Sequence, residues 1–249
     1  MSGGNVESIG DACVFGIVTV SDRASAGVYA DESGPAIVGF LGEAIDSEWR
    51  AVTRCVPDEV EQIAAALREL ADAEGCCLIV TTGGTGPAPR DLTPEATLSV
   101  CSREMPGFGE RMRTIGVAHV PTAILSRQTA GIRGSTLIVN LPGSPRSIRE
   151  TIDELFPAIP YCVDLLGGPY IETTAGAWAG WRPKKARRGG AEHAEIVKKK
   201  FDEAAAELGV DTSPHKAGAE AAAGAAEPAA EPAAEPAAEP EAAVVQPNA

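Results

Sequence analysis

The sequence predicts an α/β domain built from strand–helix–strand units around a largely parallel sheet. Three observations carry this. Short apolar, β-branched runs at 12–20, 77–82 and 136–140 alternate with stretches whose apolar residues fall at helical spacing. Each run breaks within a few residues into Gly, Ser, Asp or Pro, and a helix-start pattern follows further on. The chain has 249 residues and is 44 % hydrophobic, ample for a core in one or two domains.

In order, Ala12 to Val20 reads as the first strand, ended by Ser21 and Asp22. A loop rich in Ser, Gly and Ala runs to Ser33-Gly34. Pro35 then opens a helix with Ile37, Phe40, Leu41 and Ile45 on one face. Trp49 to Val56 alternates as a second strand. Asp58, with Glu61 three residues on, makes a capping-box-like start to a helix with an Ile63, Leu67, Leu70 stripe. Cys77 to Thr82 is a buried strand. Gly83, Gly84 and Gly86 form a loop, and Thr93 (N-cap), Pro94 and Glu95 start a helix carrying Leu98 and Val100. After Met105-Pro106-Gly107 comes a helical stretch with Met112, Ile115 and Val117, and Thr122 to Leu125 reads as a short strand. Thr136 to Asn140 is a clear strand. A tight turn follows, then a helix capped by Ser144 with Ile148, Ile152, Leu155 and Phe156 on one side, and further helix from Pro160 through Leu166. Right-handed crossovers would bring the loops at 21–34, 57–58, 83–91 and 140–145 to one sheet edge, each leading into a helix N-terminus.

Beyond Thr173 the composition changes. Arg182 to Arg188 is a basic tether, Glu192 to Leu208 has the composition of a helix, and from about Ser213 the chain is Ala, Glu and Pro. A proline at every fourth residue forbids a continuous helix, and nothing large is available to bury, so this tail is expected to be extended and disordered. The expected organisation is a core domain over 12–182, a tether with a helix over 183–212 and a tail over 213–249.

The formal charge is −14, but ten acids and one Lys between Phe201 and Ala249 carry −9 of it, leaving −5 on residues 1–200. That balance and an aromatic content of 4 % disfavour a general nucleic-acid binder. Cys13, Cys55, Cys76, Cys77, Cys101 and Cys162 include no C-x-x-C pair, which argues against zinc knuckles and for a reduced, cytoplasmic protein. No secretory leader and no apolar run of about 18 residues is seen, so no membrane partner is expected.

The stretch from Cys77 to Thr97, CLIVTTGGTGPAPRDLTPEAT, carries the chemistry. Strand, glycine loop and helix N-terminus together receive phosphates in α/β proteins, because glycine leaves no Cβ between backbone and ligand. The stretch is neither a Walker loop, since Pro87 follows Gly86, nor G-x-G-x-x-G. Residues alone leave two readings: an anion-binding loop, or a glycine-rich turn that binds nothing. Asp91, between the glycines and the helix, has the position and chemistry to hold the magnesium of a nucleotide triphosphate.

Seven blocks in order, TVSDRASAGVYAD, VPDE, TTGGTGPAPRDLTPEAT, EMPGFGERMR, PTAILSRQTAGIRGSTLIVNLPGSP, PYCVDLLGGPYIET and RPKKARR, resemble the molybdopterin adenylyltransferase family. That family includes the G domains of plant and animal molybdenum cofactor synthesis proteins. The blocks run from Thr19 to Arg188. The resemblance implies a three-layer α/β/α fold of the MogA/MoaB kind, usually trimeric. It implies a reaction in which the terminal phosphate of molybdopterin attacks the α-phosphate of Mg-ATP, giving adenylyl-molybdopterin and pyrophosphate, before hand-over to a molybdenum-insertion protein. It assigns the critical acids to Asp58 and Asp91, which would hold Mg²⁺. Ser21, Asp22, Thr82, Gly83, Gly84, Thr85 and Gly86 are then candidates for the nucleotide phosphates, and Ser135, Asn140, Pro142, Gly143 and Ser144 for the pterin. The Ala-Glu-Pro tail has no counterpart in the family pattern.

Plainer roles stand beside these. Asp58 is also placed as a helix cap, Asp91 as a turn residue, Ser21 and Asp22 as strand terminators, and Asn140 and Ser144 as turn and cap residues. A catalytically silent pterin-binding or scaffold protein of the same fold remains the alternative, because fold alone does not fix activity.

Overall fold

The computed structural model describes residues 13–176 and 178–187. The expected helix at 192–208 and the tail from 213 lie outside them. Strands β1 (Cys13–Val20), β2 (Trp49–Val56), β3 (Leu78–Thr82), β4 (Arg103–Glu104), β5 (Ala130–Arg133) and β6 (Thr136–Leu141) form one sheet, ordered β2-β1-β3-β6-β5-β4. The first four in that order are mutually parallel; β5 runs antiparallel to both β6 and β4. Helices α1 (Asp22–Ser25), α2 (Ser33–Ala44), α3 (Val60–Arg68), α4 (Thr93–Val100), α5 (Pro106–His119), α6 (Pro145–Leu155) and α7 (Ile159–Leu165) connect or follow the strands.

Period-two alternation builds three layers. One sheet face presents Phe15, Ile17, Leu78, Val80, Leu137, Val139 and Leu141 to α2, α6 and α7. The other presents Val18, Val20, Ile79 and Ile138 to Ile63 and Leu67 of α3 and to Ala96 and Val100 of α4. On the first face Phe40 meets Phe156 edge-on with centroids 5.1 Å apart, and Trp178 from the C-terminal stretch packs on Phe40 at 5.6 Å. Arg182 anchors that stretch: it forks onto Asp164 of α7 at 2.5 and 2.9 Å, stacks over Tyr170 and is buried. Packing continues beyond Arg182, since Ala186 is buried and the Arg187 guanidinium donates to the Arg182 carbonyl.

Several expectations are corrected. Asp58 does not cap α3, which begins at Val60 after Glu59 without any side-chain cap. Its carboxylate is spent on another loop. Thr93 is not a side-chain cap for α4, because its hydroxyl donates 2.9 Å to the Gly83 carbonyl instead. The 21–34 loop contains α1, capped by Ser21, and α2 starts at Ser33, with Pro35 in its first turn. Asp31 accepts from the Ser33 and Gly34 amides at the start of that helix. Thr122 to Leu125 is not a strand but part of a 3₁₀ turn, Pro121–Leu125. The antiparallel strands β4 and β5 were not expected; two and four residues are too few for an alternation signal. Leu98 and Val117, expected on apolar stripes, are exposed.

Candidate active site at the carboxyl ends of the strands

Strands β2, β1, β3 and β6 lie side by side and point the same way, so the loops that follow them share one edge. The connection from β1 goes outward to β2, and the next crosses back over β1 to β3. The switch point of the topology therefore lies between β1 and β3, the place where open α/β sheets bind ligands.

The glycine loop sits at that point, and its shape follows from its glycines. Gly83 (φ 95°) and Gly84 (φ 61°) are both left-handed. A Cβ on Gly83 would stand 2.3 Å from the Val20 carbonyl oxygen, and one on Gly84 2.4 Å from the Thr93 hydroxyl. Thr93 staples the loop: its amide donates to the Gly84 carbonyl and its hydroxyl to that of Gly83. From the other side, the Arg127 amide donates to the Thr85 carbonyl and its side chain to the carbonyls of Gly86 and Asp91. Thr82 and Thr85 are buried; Thr82 Oγ1 donates 2.8 Å to the Pro142 carbonyl, tying this loop to the one after β6. Gly143 lies against Gly83, and its carbonyl accepts from Ser33 at 2.7 Å. Ser144 caps α6, accepting from the Ser147 amide.

The acids meet around this loop. Asp22 and Asp58, on the loops after β1 and β2, exchange hydrogen bonds: the Asp22 amide donates to Asp58 Oδ2 at 2.8 Å, and the Asp58 amide to Asp22 Oδ1 at 3.0 Å. Asp58 Oδ1 faces Gly84, 3.2 Å from where a Cβ there would be. Asp91 Oδ2 lies beside Gly86 and accepts from the Ala88 amide at 3.0 Å. Burial pushes the Asp58 carboxyl above its ordinary value, and the charges of Asp22 and Asp91 add to that. The Asp22 amide and Arg90 pull the other way. Asp22 is held below its ordinary value, first by the Arg90 fork and then by the Asp58 amide.

The crevice therefore gathers Ser21, Asp22, Asp58, Thr82, Gly83, Gly84, Thr85, Gly86, Asp91, Pro142, Gly143 and Ser144. Two candidates fall elsewhere. Ser135 sits in the turn between β5 and β6, where β6 begins, at the opposite edge of the sheet. Asn140, on β6 opposite Thr81 of β3, is wholly buried, its amide donating to Thr81 (3.0 Å) and Thr97 (2.9 Å), so it ties β6 to β3 and to α4. Two residues were missed, Arg127 and Arg90. Arg90 precedes Asp91 in a segment of glycines and prolines. Its position in the mouth depends on partners 31 and 68 residues away, which no local pattern shows.

Fold and crevice define a class: an α/β domain that offers glycine backbone and acids at a switch point. The comparisons place it within that class. Residues 16–161 match the family model described as a probable molybdopterin binding domain. The molybdopterin adenylyltransferase of Escherichia coli (strain K12) is 50 % identical over 186 residues, covering 70 % of this chain and 95 % of that protein. That of Helicobacter pylori (strain 26695) is 51 % identical, covering 69 % and 97 %. The solved structure of the molybdopterin biosynthesis enzyme MoaB from Thermus thermophilus matches with a TM-score of 0.59 at 44 % identity, over 64 % of this chain and 99 % of that one. This chain belongs to the molybdopterin adenylyltransferase family.

Proposed function

We infer that this chain transfers AMP from ATP to the terminal phosphate of molybdopterin, in molybdenum cofactor biosynthesis. One observation carries the reading: both acids meet the glycine loop at the switch point, Asp58 against Gly84 and Asp91 against Gly86. Relatives about half identical along nearly their whole length, named for this activity, support it.

The new bond joins a pterin phosphate oxygen to the α-phosphorus of ATP; the bond from that phosphorus to the β-bridging oxygen breaks, and pyrophosphate leaves with the electron pair. The nucleophile is already an anion near neutral pH, so no side chain has to take a proton. Positioning and charge neutralisation are what the site must supply. The amides of Gly83, Gly84 and Thr85 would receive phosphate oxygens. Asp22 and Asp58 lock the loops after β1 and β2 to each other, which fixes the Asp58 carboxylate against Gly84. Arg127 fixes the loop from its far side.

The donor set suits Mg²⁺. Among the described residues no group of three or more His, Cys, Asp or Glu gathers that could hold a metal alone. Asp58 and Asp91 supply two hard carboxylates beside a phosphate loop, which is how Mg²⁺ is commonly held, with substrate phosphates and water completing its shell. When bound there, Mg²⁺ would offset charge on the triphosphate.

The same reading takes a cytoplasmic homotrimer that passes its product to a molybdenum-insertion protein. Apolar side chains at Val117, Val120, Ile124 and Leu125, between 44 % and 70 % exposed, offer a surface for such assembly. No helix of the described residues is long and apolar enough to cross a membrane.

Pyrophosphate release from Mg-ATP, measured with and without molybdopterin and followed by mass analysis for the adenylylated pterin, tests the reading. Pterin-dependent release with that product is expected. Tight pterin binding without pyrophosphate would indicate the silent, pterin-binding alternative.

A further inference from the structure

Arg90 stands at the mouth of the crevice with every guanidinium nitrogen engaged. Nε and Nη2 fork onto Asp22 at 3.0 and 2.7 Å, and Nη1 reaches Glu59 at 2.8 Å. One cation thus bridges the loop after β1, the loop after β2 and the segment that carries Asp91. The arrangement is open to water: the three side chains are 53 %, 45 % and 46 % exposed. Ion pairs that wet are weak and exchange readily. A guanidinium fork fits phosphate oxygens as well as it fits a carboxylate, in the same bidentate geometry. The next residue, Asp91, lies against Gly86 of the phosphate loop. Arg127 also borders the loop, but its guanidinium is held on the Gly86 and Asp91 carbonyls and on Glu95, so the cation whose partners are exposed carboxylates at the mouth is Arg90.

We propose that Arg90 is a phosphate-exchanged latch: carboxylate-bound in the free protein, it passes from Glu59 and Asp22 to the polyphosphate of the incoming nucleotide. Asp22 keeps its bond to the Asp58 amide through the exchange, so the loops stay tied while the guanidinium changes partner. The latch has two consequences. While carboxylate-bound it shields the Asp22 charge from Asp58, and it makes nucleotide affinity a competition between phosphate and carboxylate. Glu59 is then a resting partner that opposes binding. This rests on the ATP reading above.

The competition gives a test with opposite signs. Equilibrium binding of Mg with a non-hydrolysable ATP analogue is measured calorimetrically on the full chain, without pterin and without turnover. Arg90→Ala should weaken binding by about tenfold or more, the scale of a lost charge-assisted hydrogen bond, and Arg90→Lys should recover part of it. Glu59→Gln should tighten binding several-fold, because the resting partner is weakened while the cation stays. A purely structural clamp predicts no tightening. The latch is overturned if Glu59→Gln binds the analogue equally or more weakly than wild type, or if Arg90→Ala binds it as wild type does. Failure of the wild type to bind the analogue would instead count against the ATP reading, and with it the latch. Circular dichroism of each variant separates an altered latch from an unfolded chain.

Discussion

Two arginine–aspartate forks, Arg90–Asp22 and Arg182–Asp164, look alike in geometry and differ in surroundings. Arg182 and Asp164 are 5 % and 4 % exposed, stacked on Tyr170 and bonded further to the Ile171 carbonyl. Arg90 and Asp22 are 53 % and 45 % exposed. Inside the protein, losing one partner strands a charge that water cannot reach, so the pair is permanent and acts as an anchor. At the crevice mouth water can replace either partner, and a phosphate can replace the carboxylate on the guanidinium, at little cost, so the pair can exchange. The same chemistry serves structure in one place and ligand competition in the other, and burial decides which.

The largest expected effect lies at the buried fork. Arg182→Ala should cost about 3–5 kcal/mol, read as a lowered denaturation midpoint, because Asp164 is left buried and unpaired. Replacing both residues by apolar side chains of similar volume should recover most of that loss; if it does not, the anchor depends on more than paired charge.

Next comes the chemistry of the crevice. Asp91→Asn should lower kcat by about a hundred- to a thousandfold, the scale of losing a fixed electrostatic group at a transferring phosphate. An Asn oxygen can still accept the Ala88 amide, so the melting temperature should hold. Wild-type turnover in this variant would remove Asp91 from the mechanism. Gly84→Ala should cost both stability and nucleotide affinity, since φ 61° is strained for alanine and its Cβ would collide with the Thr93 hydroxyl. Crystals of that variant should show Thr93 displaced from Gly83.

The smallest effect contrasts exposure again, now among cysteines. Burial pushes the Cys76 thiol up to about 12, and Cys77 is raised further by the same cause. Cys55, on the edge strand β2, is also raised by burial of its surroundings but is exposed. Iodoacetamide at pH 8 should therefore modify Cys55 first in the native protein, with little change in activity, as peptide mapping would show.

Much of the fold was legible. Runs such as Leu78–Thr82 and Thr136–Leu141 are long enough, and apolar enough on both faces, to declare themselves central parallel strands. Ser144 with Pro145 declared the start of α6 for the same local reason. What was misread depended on competition. Asp58 and Thr93 carry cap chemistry, but Asp58 found its partner on the loop after β1 and Thr93 on the glycine loop before its own helix. Asn140 looked like a ligand group in a turn, yet strand alternation turns it inward to Thr81 and Thr97.

By itself the sequence determined the alternation of strands and helices, the glycines that allow the phosphate loop and Asp91 a few residues after them, because each depends on neighbours a few residues away; Asp58 comes to that loop only through the fold. Only the tertiary structure decided the rest. It set the strand order that puts four loops at one edge, exiled Ser135 to the opposite edge, and brought Arg90 to Asp22 and Glu59. Those are contacts between residues far apart in the chain. They are fixed by how the two sheet faces bury their apolar side chains against helices, which no short window of sequence contains.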